Sequence, residues 1–204
     1  TMKNKANGFT LLEMMVVLVI IGLLAAAFVG YGGNIFSDSK AKAAQVKLRQ
    51  LGALIEQYKT IEGEYPDDRL PKGAAMNNKN TQAEALFLAL FDVNYSGSRP
   101  AEDWLVNTDG DEANRDLTIL GTRALFEIGD EWGNPIIYFD SLHYSENNGC
   151  SAIVGEAGAF AAADVYPVRS QVTNSYYEPN RFQLVSAGAD GEFNTEDDLY
   201  SFSE

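Results

Sequence analysis

The first third of the chain carries two successive hydrophobic patterns. Residues 9–31 form an apolar run in which Glu13 is the single charged residue. Farther along, apolar side chains recur at spacings of three and four with charged residues between them; they are Ala41, Ala44, Leu48, Leu51, Ile55 and Tyr58. Because both patterns fit a helix, we predict one long helix from about residue 9 to residue 61, ended by Gly63 and Pro66.

The apolar run is long enough to cross a membrane. At ~1.5 Å per residue it extends roughly 35 Å, against a hydrocarbon core of ~30 Å. A carboxylate within such a run costs roughly 2.5–3.5 kcal/mol, so we expect Glu13 to have a partner. Lys3 and Lys5 precede the run and acidic residues dominate after it. This asymmetry predicts a cytoplasmic N-terminus and a domain on the other side of the membrane.

The rest of the chain predicts a domain that mixes helix and strand. Thr81-Gln82-Ala83-Glu84 is typical of a capping box and precedes a short, nearly all-apolar helix that ends at Phe91. Strand-like segments rich in β-branched or aromatic residues follow at 117–120, 124–128, 136–139 and 181–185. Residues 141–180 have a weak pattern, and we interpret them as an inserted surface loop.

Charge and cysteine content restrict the function. The chain has 204 residues with 29 acidic and 15 basic side chains, a formal charge of −14. Such a chain repels phosphate backbones, which argues against nucleic-acid binding. Cys150 and His143 are the only residues of their kinds, so no intramolecular disulfide can form, and no second Cys or His is present to complete a metal site or a nucleophile–base pair. We therefore expect that the protein is not an enzyme. Paired acidic side chains that catalyse hydrolysis are the one catalytic arrangement that the composition leaves open.

Two segments are dense in oxygen ligands. Asn107, Asp109 and Asp111 alternate around Gly110 and could hold a cation, although a solvated acidic turn is the favoured interpretation. Residues 186–198 carry five acids within nine positions and two glycines that allow sharp turns. Hard divalent cations take about six to eight oxygens at ~2.3–2.6 Å, from carboxylates and carbonyls. Calcium is the favoured interpretation of this second segment, and a solvated acidic turn is the alternative.

The N-terminal hexapeptide resembles a known processing site. Gly8-Phe9-Thr10-Leu11-Leu12-Glu13 and the apolar run after it are similar to the motif of type IV prepilins and type II secretion pseudopilins. The resemblance implies that a membrane prepilin peptidase cuts after Gly8 and that the new terminal residue, Phe9, is N-methylated. It also implies that Glu13 pairs with the Phe9 amine of a neighbouring subunit. A secretory signal peptide and an unprocessed single-span anchor are the alternatives.

Further motifs resemble the major, G-type pseudopilins of type II secretion. They are Gly63-Glu64-Tyr65-Pro66, Asp130-Glu131-Trp132-Gly133-Asn134-Pro135 and the Ser186-Ala187-Gly188-Ala189-Asp190-Gly191 segment. The resemblance implies an α+β fold, with a long helix packed on a small antiparallel β-sheet domain that has a C-terminal calcium loop. It assigns calcium to the side chains of Asp190, Asp197 and Asp198, to the carbonyls of Ala187 and Thr195, and less firmly to Glu192.

The same resemblance divides the chain and implies a function. The expected parts are a leader (1–8), a membrane-spanning and filament-core half-helix (9–31), an amphipathic half-helix (32–62) and a head (63–204) with an insertion (141–180). The expected function is that of a structural subunit of a type II secretion pseudopilus. Its partners would be its own copies, minor pseudopilins, the prepilin peptidase, an inner-membrane assembly platform and the membrane.

The expected location is the bacterial inner membrane, with a single span and a periplasmic domain, and later a periplasmic or extracellular filament. Two alternatives stay open. One is a type IV pilus subunit that forms an extracellular fibre. The other is a membrane-anchored, calcium-dependent binding module in which residues 141–180 contact a partner.

Overall fold

A single long helix begins the part of the chain that the structure describes. The computed structural model describes residues 10–74, 77–146, 149–155 and 161–202, with the backbone alone at 27–38 and 161. Helix α1 spans Leu11–Glu62, 52 residues, which confirms the predicted helix. Gly63 follows at φ 91° and donates its N–H to the carbonyl of Lys59 at 2.9 Å. Glycine adopts this left-handed conformation without strain, so it ends the helix as predicted.

The chain divides into two compact units, with the boundary after Lys40. In the first unit every described side chain from Thr10 to Ala26 is exposed, including Leu11 at 80% and Leu24 at 64%. Among the residues described, none of the helices is apolar over a length sufficient to cross a membrane. The span expected at 9–31 stays a prediction.

The second unit, Ala41–Glu204, is an α+β head with antiparallel sheets. Helix α2 spans Thr81–Phe91. The strands are β1 (Leu105–Val106), β2 (Glu127–Ile128), β3 (Ile137–Asp140), β4 (Cys150–Val154), β5 (Ala161–Val165), β6 (Phe182–Ser186) and β7 (Leu199–Tyr200). β1 pairs with β2, β3–β6–β7 form a three-stranded sheet, and β4 pairs with β5. Short 3₁₀ helices occupy Glu102–Trp104 and Ser141–Glu146.

The three-stranded sheet is buried on both faces. Side chains alternate between faces along a strand, and on one face Tyr138 and Leu184 join a cluster with Leu48 of α1 and Phe87 of α2. On the other face Ile137, Phe139 and Val185 join a second cluster with β4 and β5. The Tyr138 hydroxyl donates to the Pro66 carbonyl at 2.7 Å and satisfies its polar atom inside the core.

Two expectations for the head are wrong. Residues 117–120 form a turn, because local bonds from Thr118 N to Asp116 and from Leu120 N to the Thr118 hydroxyl replace strand pairing. Residues 141–180 are not a surface loop, because β4 and β5 lie within them as a hairpin. Cys150 pairs with Val165 there, and both side chains are buried. The interpretation of this segment as an insertion stays a prediction.

Candidate functional site

The N-terminal motif begins at the edge of the described residues. Gly8 and Phe9, the predicted processing residues, lie outside them. Glu13 accepts hydrogen bonds at Oε2 from the Thr10 amide (2.8 Å) and from the Thr10 hydroxyl (2.9 Å). The Glu13 amide donates back to the Thr10 hydroxyl oxygen at 3.2 Å. This reciprocal pair is a capping box, and it fixes the start of α1 one residue after Thr10.

Glu13 therefore has a local partner that the motif alone did not predict. The spacing Thr-x-x-Glu, typical of a capping box, is visible in residues 10–13, where it overlaps the processing motif. Both bonds from Thr10 reach the same oxygen, Oε2. The pairing of Glu13 with the terminal amine of a second copy is compatible with this geometry and stays a prediction.

The C-terminal loop folds around Asp197. Asp197 Oδ2 accepts the amides of Ala189 (2.6 Å) and Asp190 (3.0 Å), and its Oδ1 accepts the Thr195 hydroxyl (2.7 Å). Partial burial opposes ionisation, but these hydrogen bonds together with the Asp190 carboxyl lower the pKa of Asp197 below its usual range. The structure thus brings the Asp190 amide to the Asp197 carboxylate, and the role of both side chains as calcium ligands stays a prediction.

Asp198 lies deeper in the same loop. Its Oδ2 accepts the Asn194 amide (2.8 Å) and the Tyr200 hydroxyl (3.1 Å), whereas its buried Oδ1 has no hydrogen-bond partner. Burial raises the pKa of Asp198, and the charge of Asp197 adds to the effect. A buried carboxylate oxygen without a donor is the atom that a cation would bind, so this residue fits the predicted calcium site.

The remaining predicted ligands occupy the same loop. Glu192 donates its amide to Asp190, and its carbonyl accepts the Thr195 hydroxyl at 3.2 Å. Ala187 is fully buried and precedes Gly188. The loop closes tightly at Gly188, where a Cβ atom would lie 2.2 Å from the Asp197 carbonyl. The donor set fits calcium, but among the described residues no three acidic side chains of this loop converge on one point.

Three acidic side chains do converge elsewhere in the head. Glu84 of α2, Asp109 of the β1–β2 connection and Glu127 of β2 each place a carboxylate oxygen within 4.8 Å of the others. We call these three residues the buried acidic cluster; Asp111 lies beside it and affects the pKa of Glu84. Glu84 and Glu127 are fully buried, and Asp111 is 8% exposed.

Amide side chains hold part of the buried acidic cluster. Asn80 Nδ2 donates to Glu127 Oε1 at 2.5 Å, and Asn77 Nδ2 donates to Asp109 Oδ2 at 2.9 Å. Burial raises the pKa of Glu84 to about 10 and that of Glu127 to about 8, with the neighbouring carboxylates adding to the shift for each. At neutral pH these shifts favour the protonated forms of Glu84 and Glu127, so the cluster becomes fully ionised only at high pH or with a cation to offset the burial.

The capping box predicted at residues 81–84 is wrong. Asn80, at φ 50°, is the N-cap of α2 and makes no side-chain capping bond. Glu84 faces the buried carboxylates instead of the helix start, because α2 packs against β2 and turns this side chain inward. The local sequence pattern does not indicate that Glu84 is buried, because Glu127 and Asp109 are distant in sequence and become its neighbours only in the folded head.

A second group of potential ligands consists of Asp67, Asp68 and His143. His143 Nδ1 is 2.6 Å from Asp68 Oδ1 and 3.8 Å from Asp67 Oδ1. Asp68 also accepts the Asp140 amide at 3.0 Å, and burial raises the pKa of Asp68. Arg69 binds Asp67 through two bonds of 2.9 Å, so Asp67 already has a cationic partner. The contacts identify His143 as a link that holds the start of the 141–180 segment to residues 67–69.

Comparisons with known proteins agree with the N-terminal motif. Residues 3–29 match the model of the prokaryotic N-terminal methylation motif. Type II secretion system core protein G of Dickeya chrysanthemi is 36% identical over 84 residues, 41% of this chain and 54% of that protein. Fimbrial protein EcpC of Eikenella corrodens is 36% identical over 75 residues, 36% of this chain and 48% of its own length. No solved structure matches the chain.

The coverage of these relatives differs. The chain spans about half the length of the first curated relatives it matches, 54% and 45%. Against the core protein G of Aeromonas hydrophila it is 30% identical over 105 residues, 50% of this chain and 70% of the relative. With the methylation motif at residues 3–29 and this broader match, the chain belongs to the family of type II secretion system core protein G, the type IV pilin-like major pseudopilins.

Proposed function

We propose that the chain is a structural subunit of a type II secretion pseudopilus, a helical filament that helps to drive protein export. The observation that carries the proposal is the apolar surface of α1. Every described side chain from Thr10 to Ala26 is exposed, and twelve large apolar residues are among them: Leu11, Leu12, Met14, Met15, Val16, Val17, Leu18, Val19, Ile20, Ile21, Leu23 and Leu24. Such a surface calls for cover by lipid or by other apolar helices.

The assembly route follows from this surface. In the proposal, α1 first anchors the chain in the inner membrane with the head in the periplasm, a prepilin peptidase removes residues 1–8, and the apolar half-helices of many copies then pack together. An assembly platform and minor pseudopilins would take part. The core protein G relatives and the methylation motif support this sequence of events.

Calcium binding in the C-terminal loop is part of the same proposal. Asp190, Asp197 and Asp198 would supply carboxylate oxygens, with the carbonyls of Ala187 and Thr195 completing the shell and Glu192 adding to it. The orphaned Oδ1 of Asp198 supports the assignment. A bound ion would fasten the loop to β7, which it precedes.

Substitutions of Glu13 test the proposed assembly step. Glu13→Gln keeps an acceptor oxygen for the Thr10 amide but removes the charge, whereas Thr10→Val removes the hydroxyl and keeps the charge. If Glu13 pairs with the terminal amine of a neighbour, Glu13→Gln abolishes sheared filaments and Thr10→Val reduces them only modestly. The measurement is the amount of filament sheared from cells at equal expression. Wild-type amounts with Glu13→Gln would overturn the pairing.

A pilus subunit that forms an extracellular fibre is the second candidate, and the fimbrial relative from Eikenella corrodens favours it. The two candidates differ in what deletion of the gene removes. Loss of exported proteins from the medium, with no change in surface fibres seen by electron microscopy, supports the pseudopilus. Loss of surface fibres with normal export supports the pilus.

A further inference from the structure

We propose that Glu84, Asp109 and Glu127 form a second divalent-cation site in the head, separate from the C-terminal loop and suited to calcium. The proposal goes beyond filament assembly and does not depend on it. Three different parts of the fold contribute the ligands: α2, the β1–β2 connection and β2.

The spacing of the ligand atoms fits a cation of this kind. One oxygen from each of the three carboxylates lies within 4.8 Å of the other two. Two oxygens on opposite sides of a calcium ion are separated by about 5 Å when each bond is ~2.3–2.6 Å. The three oxygens can therefore bind one ion without movement of the backbone.

The unused oxygens are the strongest indication of a ligand. Glu84 is fully buried, and no amide, hydroxyl or basic group donates to its carboxylate; its hydrogen-bonding neighbour is the Asp111 carboxyl, a contact that requires a proton between the two acids. Asp109 Oδ1 is also buried without a partner. A buried carboxylate that meets no donor costs several kcal/mol by a rough estimate. A bound cation would satisfy these three oxygens together.

The other oxygens of the cluster are already held in place. Asn80 Nδ2 and the Thr108 amide donate to the two oxygens of Glu127, at 2.5 and 3.2 Å. Asn77 Nδ2 bridges Asp109 Oδ2 and Asp111 Oδ2, at 2.9 and 3.2 Å. Such outer contacts orient ligands before an ion arrives, as second-shell groups do at known metal sites.

No basic residue balances the charge of this cluster within the ranges that the structure describes. Lys79 is near in sequence, but its amine donates to the Ser151 hydroxyl at 2.8 Å. Every salt bridge found among the described residues lies elsewhere in the head. Once ionised, the three carboxylates therefore present a strongly negative site, which favours a cation over an anion.

The donor set selects the class of ion. All the ligand atoms are oxygens, with no thiolate or imidazole among them, which favours a hard cation over zinc or copper. Calcium tolerates irregular shells and binds several carboxylates at once, whereas magnesium demands near-octahedral geometry and keeps several waters, so three carboxylates from separate elements suit calcium better. Gly110, at φ 72°, turns the connection sharply between Asp109 and Asp111 and lets both approach the cluster.

Calcium stoichiometry tests the proposal in the full chain, kept in detergent micelles. The variant Asp197→Asn/Asp198→Asn removes two carboxylates of the C-terminal loop and serves as the parent. After equilibrium dialysis against calcium, atomic emission is expected to find one bound ion per parent chain. Adding Glu84→Gln is expected to remove that ion, whereas adding Glu102→Gln, at an exposed acid, is expected to retain it.

A folding control accompanies each variant. Glu84→Gln is expected to retain the circular dichroism of the parent in EDTA, with an equal or higher melting temperature, because glutamine is buried without having to take up a proton. If it loses structure, Asp109→Asn replaces it, at a half-buried position on the connection. A parent that binds no calcium, or folded Glu84→Gln or Asp109→Asn variants that still bind it, would overturn the second site. None of these readouts depends on filament formation.

Discussion

The two acidic regions of the head stabilise their carboxylates in different ways. In the C-terminal loop the backbone turns toward the side chains, so that Asp197 accepts two amides and Asp198 one. In the buried acidic cluster the side chains project from separate elements, and the hydrogen-bonding neighbour of Glu84 is another acid, Asp111. The comparison teaches that local turns can satisfy an acid by themselves, whereas an acid imposed by tertiary packing needs a ligand or a proton.

This difference predicts that replacing an acid by its uncharged amide changes the free energy of unfolding in opposite directions in the two regions. In the loop the acids stabilise the backbone, so their loss lowers the free energy of unfolding. In the cluster the fold forces the acids together, so loss of one acid raises the free energy of unfolding while calcium is absent.

The largest expected effect is a pH dependence that Glu84→Gln removes. Burial holds the pKa of Glu84 at about 10 in the folded head, against 4.5 for a free side chain, with Asp109, Asp111 and Glu127 facing it. The folded state therefore binds this proton more tightly. Its stabilising effect is complete below pH 4.5 and is lost as the pH rises toward 10.

Between about pH 5 and about pH 7 in EDTA, we expect the wild type to lose about 2–3 kcal/mol relative to Glu84→Gln, since the slope is ~1.4 kcal/mol per pH unit. Urea unfolding at both pH values measures it. Glu127, with a pKa raised to about 8, contributes to the slope in both proteins and cancels in the difference. If the unfolding free energies of the two proteins changed with pH in parallel, the pKa of Glu84 would not be raised in the folded head.

A smaller effect tests the tight closure of the C-terminal loop. Gly188→Ala places a Cβ atom 2.2 Å from the Asp197 carbonyl, at a residue with φ 66°. Gly73→Ala is the matched control, because Gly73 has φ 78° and open space around it. We expect Gly188→Ala to lower the free energy of unfolding by about 1–3 kcal/mol more than Gly73→Ala does. If urea titration gave the same loss of unfolding free energy for both variants, the loop would have rearranged around the added methyl group without destabilising the head.

The smallest effect comes from Asp197 itself. In EDTA, Asp197→Asn is expected to lower the free energy of unfolding by about 1 kcal/mol, because a neutral amide oxygen is a weaker acceptor for the Ala189 and Asp190 amides. Glu196→Gln, at the exposed neighbour, is expected to change it by less than about 0.5 kcal/mol. If Asp197→Asn instead raised the free energy of unfolding, the two acidic regions would behave alike, and the proposed difference between them would be wrong.

The sequence pattern predicts elements more reliably than it predicts long-range neighbours. The period of Leu48, Leu51 and Ile55 gives the buried face of α1, and Gly63 gives its end, because both are local properties. The acidic loop near Asp197 is also readable, since its acids and glycines lie within a few positions of each other. These features need no knowledge of which elements pack together.

The buried acidic cluster and the β4–β5 hairpin could not be predicted in this way. Glu84 and Glu127 are 43 positions apart, and only the packing of α2 on β2 makes them neighbours. In the hairpin, small residues such as Ala152 and Ala163 give a weak alternation, so the strands resemble a loop. Burial of small side chains depends on what packs over them, and a local pattern does not contain that information.

The β4–β5 hairpin also contains a natural chemical probe of local opening in the head. Cys150 is fully buried in β4, and burial raises the pKa of its thiol to about 12, so a thiol reagent reacts only when the strand separates from its neighbours. Since Cys150 is the single cysteine of the chain, its labelling rate reports one opening event. The rate of local opening of the head can thus be measured in the unmodified protein. The labelling rates of free subunits and of filaments can be compared with the same thiol reagent.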